Sequence, residues 1–279
     1  MRFILASLLT LAVAAGPAAA QTMERLRETG ELRLGYRTDA LPLSFVDGAG
    51  LPAGYTVEVC KEVGEKLRAA LELDELALAW VPVTPEDRFA SVTEGRVDLV
   101  CGADTVTLER REIVDFSLPT FVDGAAVLML RGAEPDLTEL AGKRIGVRGA
   151  TTTEDALRAT LVDQGMQAEV VLFDDHAAGR DALAAGDIAA YFGDQSILVG
   201  LIQTSAAPET LMLSTEMLTV EKQALAMPRG DDAFRLAVDR ALSELYISGR
   251  MQEILEEALP GIEPGLALRA LFLIAPDLL

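Results

Sequence analysis

Two short patterns in this sequence could hold the charged ends of a small molecule. The first is Thr151-x-x-Glu154, a capping box that starts a helix after a predicted strand. The free backbone amides and positive dipole end of that helix suit a carboxylate. The second is Asp194, an acidic side chain that follows the predicted strand at 189–192. Both patterns also have a structural interpretation, because Thr151 and Thr152 could simply start their helix and Asp194 could simply cap the next one.

Arginine is the residue type best suited to a buried carboxylate, because its planar guanidinium donates two parallel hydrogen bonds. Burying a free amino acid requires partners for both its carboxylate and its ammonium, since an unpaired buried charge is costly. Arginine supplies 20 of the 24 basic residues of this chain. An arginine at one position therefore does not identify a site by itself.

Other kinds of chemistry find little support in the composition. One histidine and two cysteines cannot make a structural zinc site. The sequence contains neither G-x-S-x-G nor H-E-x-x-H, the patterns of a serine hydrolase and a zinc peptidase. We therefore predict no metal, no cofactor and no catalytic residues, and a chain that is not an enzyme.

The composition predicts a packed globular protein. Half of the 279 residues are apolar and 24% are charged. The net charge of −20 argues against nucleic acid and anionic membrane surfaces as partners. Diffuse surface charge is screened beyond about 8 Å at physiological salt, so a local group of arginines can still bind an anion.

The first twenty residues have the features of a secretory signal peptide. Arg2 supplies the positive start, an apolar run covers 4–16, and three alanines ending at Ala20 form the predicted cleavage site. The run is too short to span a bilayer. We expect a periplasmic mature protein of 259 of the 279 residues. Export favours a disulfide between Cys60 and Cys101, the alternative being two buried free thiols.

The remaining sequence predicts alternating strands and helices. Val59, Val63 and Leu67 recur every four residues, the spacing of one helix face. We predict strands at 32–36, 76–81, 97–101, 121–130, 143–148, 189–192 and 221–227, and helices at 55–70, 85–94 and across 231–259.

One unit of helix, glycine, strand and glycine occurs twice, at 88–102 and at 180–193, with seven residues between the two glycines each time. The repetition predicts an α/β fold of two similar lobes. The strand at 121–130 would leave the first lobe and the strand at 221–227 would return to it, which makes a two-strand hinge. We expect the apolar tail at 266–279, too short to span a membrane, to pack against the first lobe.

Two segments near the middle of the sequence resemble the signature of a known protein family. The segment CGADTVTLER at 101–110, followed by DFS at 115–117, resembles the signature of bacterial family 3 extracellular solute-binding proteins. Four short markers of the family are also present: GY at 54–55, GRVD at 95–98, ER at 109–110, and the segment 186–194. Each is short, but their order and spacing together are specific to the family. The resemblance implies a type II periplasmic binding fold, with lobe 1 at 21–126 and 222–279 and lobe 2 at 127–221.

The resemblance also implies roles for individual residues. Arg110 would bind the ligand's α-carboxylate, its alternative role being a surface pair with Glu109 or Glu112. Thr152 would contact the ligand while Thr151 caps the helix. Asp194 would receive the α-ammonium.

The branch of the family that this chain resembles binds glutamate and aspartate. In that branch, residues corresponding to Arg37, Arg88 and His176 meet the ligand's side chain, and we expect Asp174 and Asp175 to keep His176 cationic near neutral pH. Three such donors imply that the ligand's side chain ends in a carboxylate or an amide. Two residues of the motif, Ala103 and Thr105, complete the predicted ligand-binding set.

The sequence departs from that branch at three positions. Pro85, Ala103 and Asp104 replace small hydroxyl residues, which removes hydrogen-bond donors. Asp104 could neutralise Arg110 or bind a second cation on the ligand. A basic or neutral polar ligand therefore remains an alternative to an acidic one.

These features predict the periplasmic substrate-binding component of an amino acid ABC importer, a monomer that delivers its ligand to a permease in the inner membrane. One alternative is a periplasmic enzyme of the same fold, resembling cyclohexadienyl dehydratase, in which Asp194 and His176 would do acid and base work. The other is a sensory ligand-binding module, whose pocket would look the same.

Overall fold

The computed structural model describes residues 21–133, 136–261 and 263–277. The predicted signal peptide and its cleavage site lie outside the described residues. No helix in the described part of the chain has the length and apolar character needed to cross a membrane.

The described elements alternate as predicted. The strands are β1 (Glu31–Arg37), β2 (Asp39–Ala40), β3 (Ser44–Val46), β4 (Pro52–Ala53), β5 (Ala77–Val83), β6 (Leu99–Cys101), β7 (Asp115–Asp123), β8 (Ala125–Leu130), β9 (Arg144–Arg148), β10 (Glu169–Phe173), β11 (Ala190–Asp194), β12 (Leu211–Met217) and β13 (Glu221–Met227). The α-helices are α1 (Gln21–Thr29), α2 (Tyr55–Ala70), α3 (Arg88–Thr93), α4 (Thr152–Asp163), α5 (His176–Ala185), α6 (Gln195–Gln203), α7 (Asp232–Ser248), α8 (Arg250–Ala258) and α9 (Leu266–Ile274).

Two larger sheets organise the described residues into two lobes, so the predicted fold class is confirmed. Lobe 1 is built on a sheet with strand order β5-β1-β6-β13-β7, and lobe 2 on a sheet with order β10-β9-β11-β8-β12. In lobe 1, β1 runs parallel to β5 and β6. In lobe 2, β9 runs parallel to β10 and β11. A small sheet of β2, β3 and β4 follows β1 directly.

The chain passes between the lobes twice. The predicted strand at 121–130 is instead two strands, β7 in lobe 1 and β8 in lobe 2, separated by Gly124. A Cβ atom at Gly124 would lie 2.1 Å from the backbone oxygen of Thr219 on the returning segment. Only glycine lets the two crossing segments approach this closely, so one continuous strand was the wrong prediction.

Each lobe has apolar side chains on both faces of its sheet. In lobe 1, α2, α7 and α8 cover one face, and Val59, Val63 and Leu67 of α2 belong to the continuous core there. The predicted apolar tail also packs here, because Leu268 and Leu271 of α9 join that core and the ring of Phe272 contacts Tyr246. Fully burying a leucine side chain contributes about 2 kcal/mol, which explains why the tail stays on lobe 1.

One predicted helix begins later than expected. The helix predicted at 85–94 is α3, which starts at Arg88. The Asp87 carboxylate accepts a hydrogen bond from the backbone N–H of Thr84 at 2.8 Å. This closes a turn over 84–87 before the helix can start, and Pro85 lies within the turn.

The two cysteines form the predicted disulfide, with Cys60 on α2 bonded to Cys101 at the end of β6. The bond connects residues 41 positions apart. It fixes the end of β6, from which the segment carrying Ala103, Thr105 and Arg110 continues.

Candidate functional site

A cleft between the lobes collects the predicted site residues. It measures about 370 Å³, including the part open to solvent. The carboxyl ends of parallel strands β1, β9 and β11 meet at this cleft, as is typical for ligand sites of open α/β sheets. Eight of the nine predicted residues line it: Arg37, Arg88, Ala103, Arg110, Thr151, Thr152, His176 and Asp194. The ninth, Thr105, lies next to it, with its hydroxyl 3.3 Å from that of Thr152.

Arg110 is oriented without using a carboxylate. Its Nη1 donates to the backbone oxygen of Thr105 at 2.7 Å. Its guanidinium carbon lies 5.4 Å from the centre of the Phe89 ring, within the range of a cation–π contact. Among the described side chains it forms no ion pair with Glu109, Glu112 or any other acid. A guanidinium held in place but not neutralised can bind an anion.

The predicted Thr151 cap at the start of α4 is confirmed, and the Glu154 side chain reaches back one residue further than in a standard capping box. The Thr151 hydroxyl accepts from the backbone N–H of Glu154 at 3.2 Å and donates to the backbone oxygen of Arg148 at 2.8 Å. The Glu154 carboxylate accepts from the backbone N–H of Ala150 at 3.0 Å. Thr151 is therefore fixed as the cap, while Thr152, the first helical residue, points its hydroxyl across the cleft.

Thr152 meets the start of β13 through Glu221. Its hydroxyl donates to Oε2 of Glu221 at 2.9 Å, and the Thr105 hydroxyl donates to the same oxygen at 2.5 Å. The other oxygen, Oε1, accepts from Thr219 at 2.5 Å. Glu221 begins β13 at the hinge, so one carboxylate gathers hydroxyls from both lobes.

Asp194 ends β11 as a buried carboxylate with two side-chain donors. Oδ1 accepts from the Thr153 hydroxyl at 3.1 Å, and Oδ2 accepts from Nε2 of Gln223 at 2.8 Å. Asp194 occupies the N-cap position of α6, as the alternative role proposed, but its carboxylate makes no capping hydrogen bond to that helix. Burial, together with the nearby Asp123 and Glu221 carboxylates, raises the pKa of Asp194 to about 8. A ligand ammonium here would receive a strong partner and relieve this repulsion.

The arginines at the other end of the cleft are paired within the protein. Arg37 donates to Asp39 at 2.6 Å, and Arg88 donates to Asp104 at 2.7 Å. All four side chains are at least nine-tenths buried. The expectation that Asp104 neutralises Arg110 is wrong, since Asp104 pairs with Arg88. Its second oxygen, Oδ2, is buried without a hydrogen-bond partner among the described residues.

His176 is neutral, contrary to the prediction. Burial lowers its pKa to about 3, and the nearby Arg37 and Arg148 act in the same direction against the opposing effect of Asp39. Asp174 and Asp175 do not stabilise the cation. Instead Asp175 caps α5, its carboxylate accepting from the backbone N–H of Ala178 at 3.0 Å. The histidine Nδ1 lies 3.0 Å from the hydroxyl of Tyr191, so His176 serves as an uncharged hydrogen-bonding group.

Sequence reasoning missed several residues of the site. Arg148, at the end of β9, lines the cleft beside Arg37 and Arg88. It crosses to lobe 1 and pairs with Asp39 at 3.2 Å and with Glu86 at 2.8 Å. The available signal was an arginine directly before the turn that leads to the capping box. Its partners lie 109 and 62 positions away, beyond the reach of any local pattern. Gln223 and Glu221 were missed for the same reason.

The described residues contain no group of three or more His, Cys, Asp or Glu side chains arranged to hold a metal ion. The donor chemistry of the cleft is instead that of guanidinium, hydroxyl and carboxylate groups. Such a set binds a small polar molecule with charges of both signs.

Two lobes joined by two crossing segments, with a polar cleft between them, define a type II solute-binding protein. Residues 32–260 match the family model described as bacterial extracellular solute-binding proteins, family 3. This chain belongs to that family.

Comparison with individual proteins agrees with this family. The chain is 30% identical over 256 residues to an L-glutamate/L-aspartate-binding protein of Pseudomonas aeruginosa, with 91% of this chain and 84% of that protein covered. A substrate-binding protein of an ABC uptake transporter from Streptococcus pneumoniae, solved with bound histidine, superposes with a TM-score of 0.76 at 18% identity, covering 85% of this chain and 95% of that one. The ancestral amino acid-binding protein AncCDT-1, a precursor of cyclohexadienyl dehydratase, superposes with a TM-score of 0.74 at 23% identity, covering 85% and 99%. The two structural similarities concern the fold alone.

Proposed function

We propose that this chain is the periplasmic substrate-binding component of an amino acid ABC importer. It binds a polar, acidic amino acid between its lobes and delivers it to a permease in the inner membrane. Family membership supports the general role. The name of the Pseudomonas aeruginosa relative supports glutamate or aspartate as the ligand.

One observation carries the proposal. The free guanidinium of Arg110, the Thr152 hydroxyl and the Asp194 carboxylate line one interlobe cleft, although they lie on three separate segments. A positive and a negative group facing the same small space are complementary to the carboxylate and ammonium of a free amino acid. Arg110 binds the α-carboxylate, Thr152 at the start of α4 supports it, and Asp194 binds the α-ammonium.

The side chain of the ligand is held at the other end of the cleft. Arg37, Arg88 and the neutral His176 present donors there, and Thr151 and Ala103 complete the wall of the cleft. Thr105 supports the α-carboxylate end, where its backbone oxygen holds Arg110 and its hydroxyl meets Thr152. A charge pair at 4 Å contributes about 4 kcal/mol at an effective dielectric constant near 20, enough to favour an acidic side chain over an apolar one.

We propose that lobe 1 comprises about 21–126 and 222–279 and lobe 2 about 127–221, with the crossings at Gly124 and just before Glu221, in a monomer whose leader is removed after Ala20. Ligand binding closes the lobes about the two crossing segments. The protein is not an enzyme. Its one histidine, buried against Tyr191, is a poor acid or base at neutral pH. Product formed from prephenate by the purified protein would contradict this.

A thermal-shift screen against the twenty amino acids tests the proposal. A ligand at about one hundred times its dissociation constant stabilises the protein by about 2.7 kcal/mol, which gives a clear shift. We expect L-glutamate and L-aspartate to raise Tm. If a different amino acid does so, the acidic specificity is wrong and the binding role remains. If none does, the binding role is wrong. Loss of uptake in a strain lacking the chain distinguishes transport from a sensory role.

A further inference from the structure

We infer that Arg148 is a specificity-determining residue, because it supplies the excess buried positive charge that selects a ligand with a side-chain carboxylate. This inference rests on the proposed function, since it concerns the same cleft. It assigns the choice between an acid and its amide to a lobe 2 residue that becomes part of the site when the lobes meet.

Arg148 is placed to act on the ligand. It is the last residue of β9, its side chain is 5% exposed, and it lines the cleft together with Arg37 and Arg88. Nε donates to Oδ2 of Asp39 at 3.2 Å and Nη1 donates to Glu86 at 2.8 Å. These contacts fix the guanidinium at the cleft wall.

The buried charges at this end of the cleft do not balance. Three guanidiniums, those of Arg37, Arg88 and Arg148, are at least 95% buried. Two buried carboxylates oppose them: Asp39, which is shared between Arg37 and Arg148, and Asp104.

The remaining groups do not remove the imbalance. Glu86 also contacts Arg148, but its side chain is 50% exposed, so solvent screens much of its effect. His176 is neutral, and Arg110 and Asp194 are assigned to the two ends of the amino acid backbone. Among the buried groups alone, one positive charge is therefore in excess, and the half-exposed Glu86, which contacts Arg148 at 2.8 and 3.5 Å, offsets it only in part.

An excess buried charge favours a ligand that neutralises it. Burying a charge without a full counterpart costs free energy, and a ligand carboxylate at this place removes that cost. An amide side chain of the same size brings a dipole and leaves the charge in excess. A cationic side chain would add a second positive charge beside three guanidiniums. The charge count therefore selects glutamate or aspartate over glutamine, asparagine and the basic amino acids.

The competing interpretation is a structural one. Because the Arg148 contacts to Asp39 and Glu86 join the two lobes, they could stabilise the closed form whatever the ligand is. Removing Arg148 would then weaken the binding of every amino acid by the same factor. The ratio of the dissociation constants for glutamate and glutamine separates the two interpretations, since a purely structural contact leaves that ratio unchanged.

Calorimetric titration of the full mature chain with L-glutamate and L-glutamine tests the inference in the wild type and in Arg148→Gln. We expect the wild type to prefer glutamate, and Arg148→Gln to reduce that preference about tenfold or more, mostly through weaker glutamate binding. Arg144→Gln is the matched control on the same strand, because Arg144 is half exposed and pairs with Glu169. It should leave both affinities unchanged.

The outcomes are distinguishable. If the wild type binds no amino acid, the proposed function fails. If it binds amino acids but prefers glutamine, the acidic specificity and this inference are both wrong and the binding role remains. If it prefers glutamate and Arg148→Gln leaves the ratio unchanged, this inference alone is wrong. A second variant, Asp39→Asn, covers the case in which Arg148→Gln does not fold as judged by circular dichroism. It removes a buried carboxylate and should raise the preference for glutamate, and an unchanged or lower preference would overturn the inference.

Discussion

The carboxylate of Asp194 accepts a hydrogen bond of 2.8 Å from the side-chain amide of Gln223, although the two residues lie on the sheets of different lobes. Asp194 ends β11 of lobe 2, and Gln223 lies on β13 of lobe 1. The position proposed for the ligand ammonium is therefore completed by both lobes. The carboxylates of Asp123 and Glu221 lie near enough to raise the pKa of Asp194.

The burial of Asp194 among other carboxylates predicts that the stability of the ligand-free protein depends on pH. The folded-state pKa of Asp194 is about 8, against an ordinary value of 3.8. Below 3.8 the carboxyl is protonated in both states. Between about pH 4 and 8 the native state binds more protons than the unfolded state, so the free energy of unfolding falls as the pH rises through this window. Urea unfolding across this range measures the slope.

Ionisable groups near Asp194 also affect the stability, so the control is the variant Asp194→Asn, which removes the carboxylate alone. Asp123, whose pKa is raised to about 6, contributes in the same direction below pH 6, whereas the positive charge of Arg37 opposes the shift of Asp194. His176, whose pKa falls from 6.5 to about 3, acts in the opposite direction below about pH 6.5, because the unfolded state then binds the extra proton. Asp194→Asn should therefore abolish the fall between about pH 6 and 8 and leave little pH dependence at lower pH, where Asp123 and His176 offset each other. Stability that rises with pH over this range would refute the assignment.

The affinity for the ligand should rise with pH over the range in which the stability of the ligand-free protein falls. A ligand ammonium pairs with the ionised form of Asp194, so binding below about pH 8 expels a proton from that carboxyl. The affinity of the wild type for L-glutamate should therefore rise from about pH 5 to pH 8. Calorimetry in buffers of different ionisation enthalpy counts the released protons. Binding without proton release at pH 6 would show that Asp194 is already ionised.

Local patterns predicted much of this molecule. The helix at 55–70 and the strand at 221–227 have the predicted bounds, since a regular apolar stripe and a short apolar run between turns are local signals. The capping box at Thr151 is local as well. The Cys60–Cys101 disulfide followed from the count of cysteines in an exported chain.

The missed features depend on contacts between distant segments. Arg148 meets Asp39 from 109 positions away, and the neutral state of His176 depends on burial under elements that its own flanking aspartates do not reveal. The break at Gly124 depends on the approach of Thr219. Sequence spacing carries no information about such pairs, so composition and periodicity could not have found them.

Replacing Arg110 should abolish most amino acid binding. Removing one member of a buried charged pair costs about 2–5 kcal/mol, so Arg110→Gln should weaken L-glutamate binding by about two orders of magnitude or more. The adjacent Arg111 is exposed, and Arg111→Gln is the control that changes the same net charge. Calorimetry measures both. Equal losses in the two variants would indicate a general effect of charge.

Closure of the lobes can be tested away from the charged residues. Gly200 of α6 lies against Leu41 of lobe 1, and a Cβ atom at Gly200 would sit 2.6 Å from the Leu41 backbone oxygen. Gly200→Ala should therefore hold the lobes apart and weaken all ligands together by about tenfold or more. Small-angle scattering should record a smaller ligand-induced compaction. Gly48→Ala, where the added carbon meets no atom within 4 Å, is the control.

The disulfide should contribute substantially to stability. It closes a loop between residues 41 positions apart, for which the loss of chain entropy in the unfolded state corresponds to about 4 kcal/mol. Urea unfolding with and without reductant measures the difference. Coincident transitions would contradict the prediction, provided that a thiol assay under denaturant confirms two free thiols in the reduced sample.

Titration of the wild-type chain with L-glutamate and two analogues tests whether the cleft binds both charged ends of the amino acid. Glutarate lacks the ammonium that Asp194 is proposed to bind, and 4-aminobutyrate lacks the α-carboxylate assigned to Arg110. We predict that L-glutamate binds at about pH 8 and that each analogue binds at least about one hundred times more weakly, because 4-aminobutyrate leaves Arg110 without its carboxylate partner and glutarate cannot form the ammonium pair with Asp194. Affinities of glutarate or 4-aminobutyrate equal to that of L-glutamate would contradict the account.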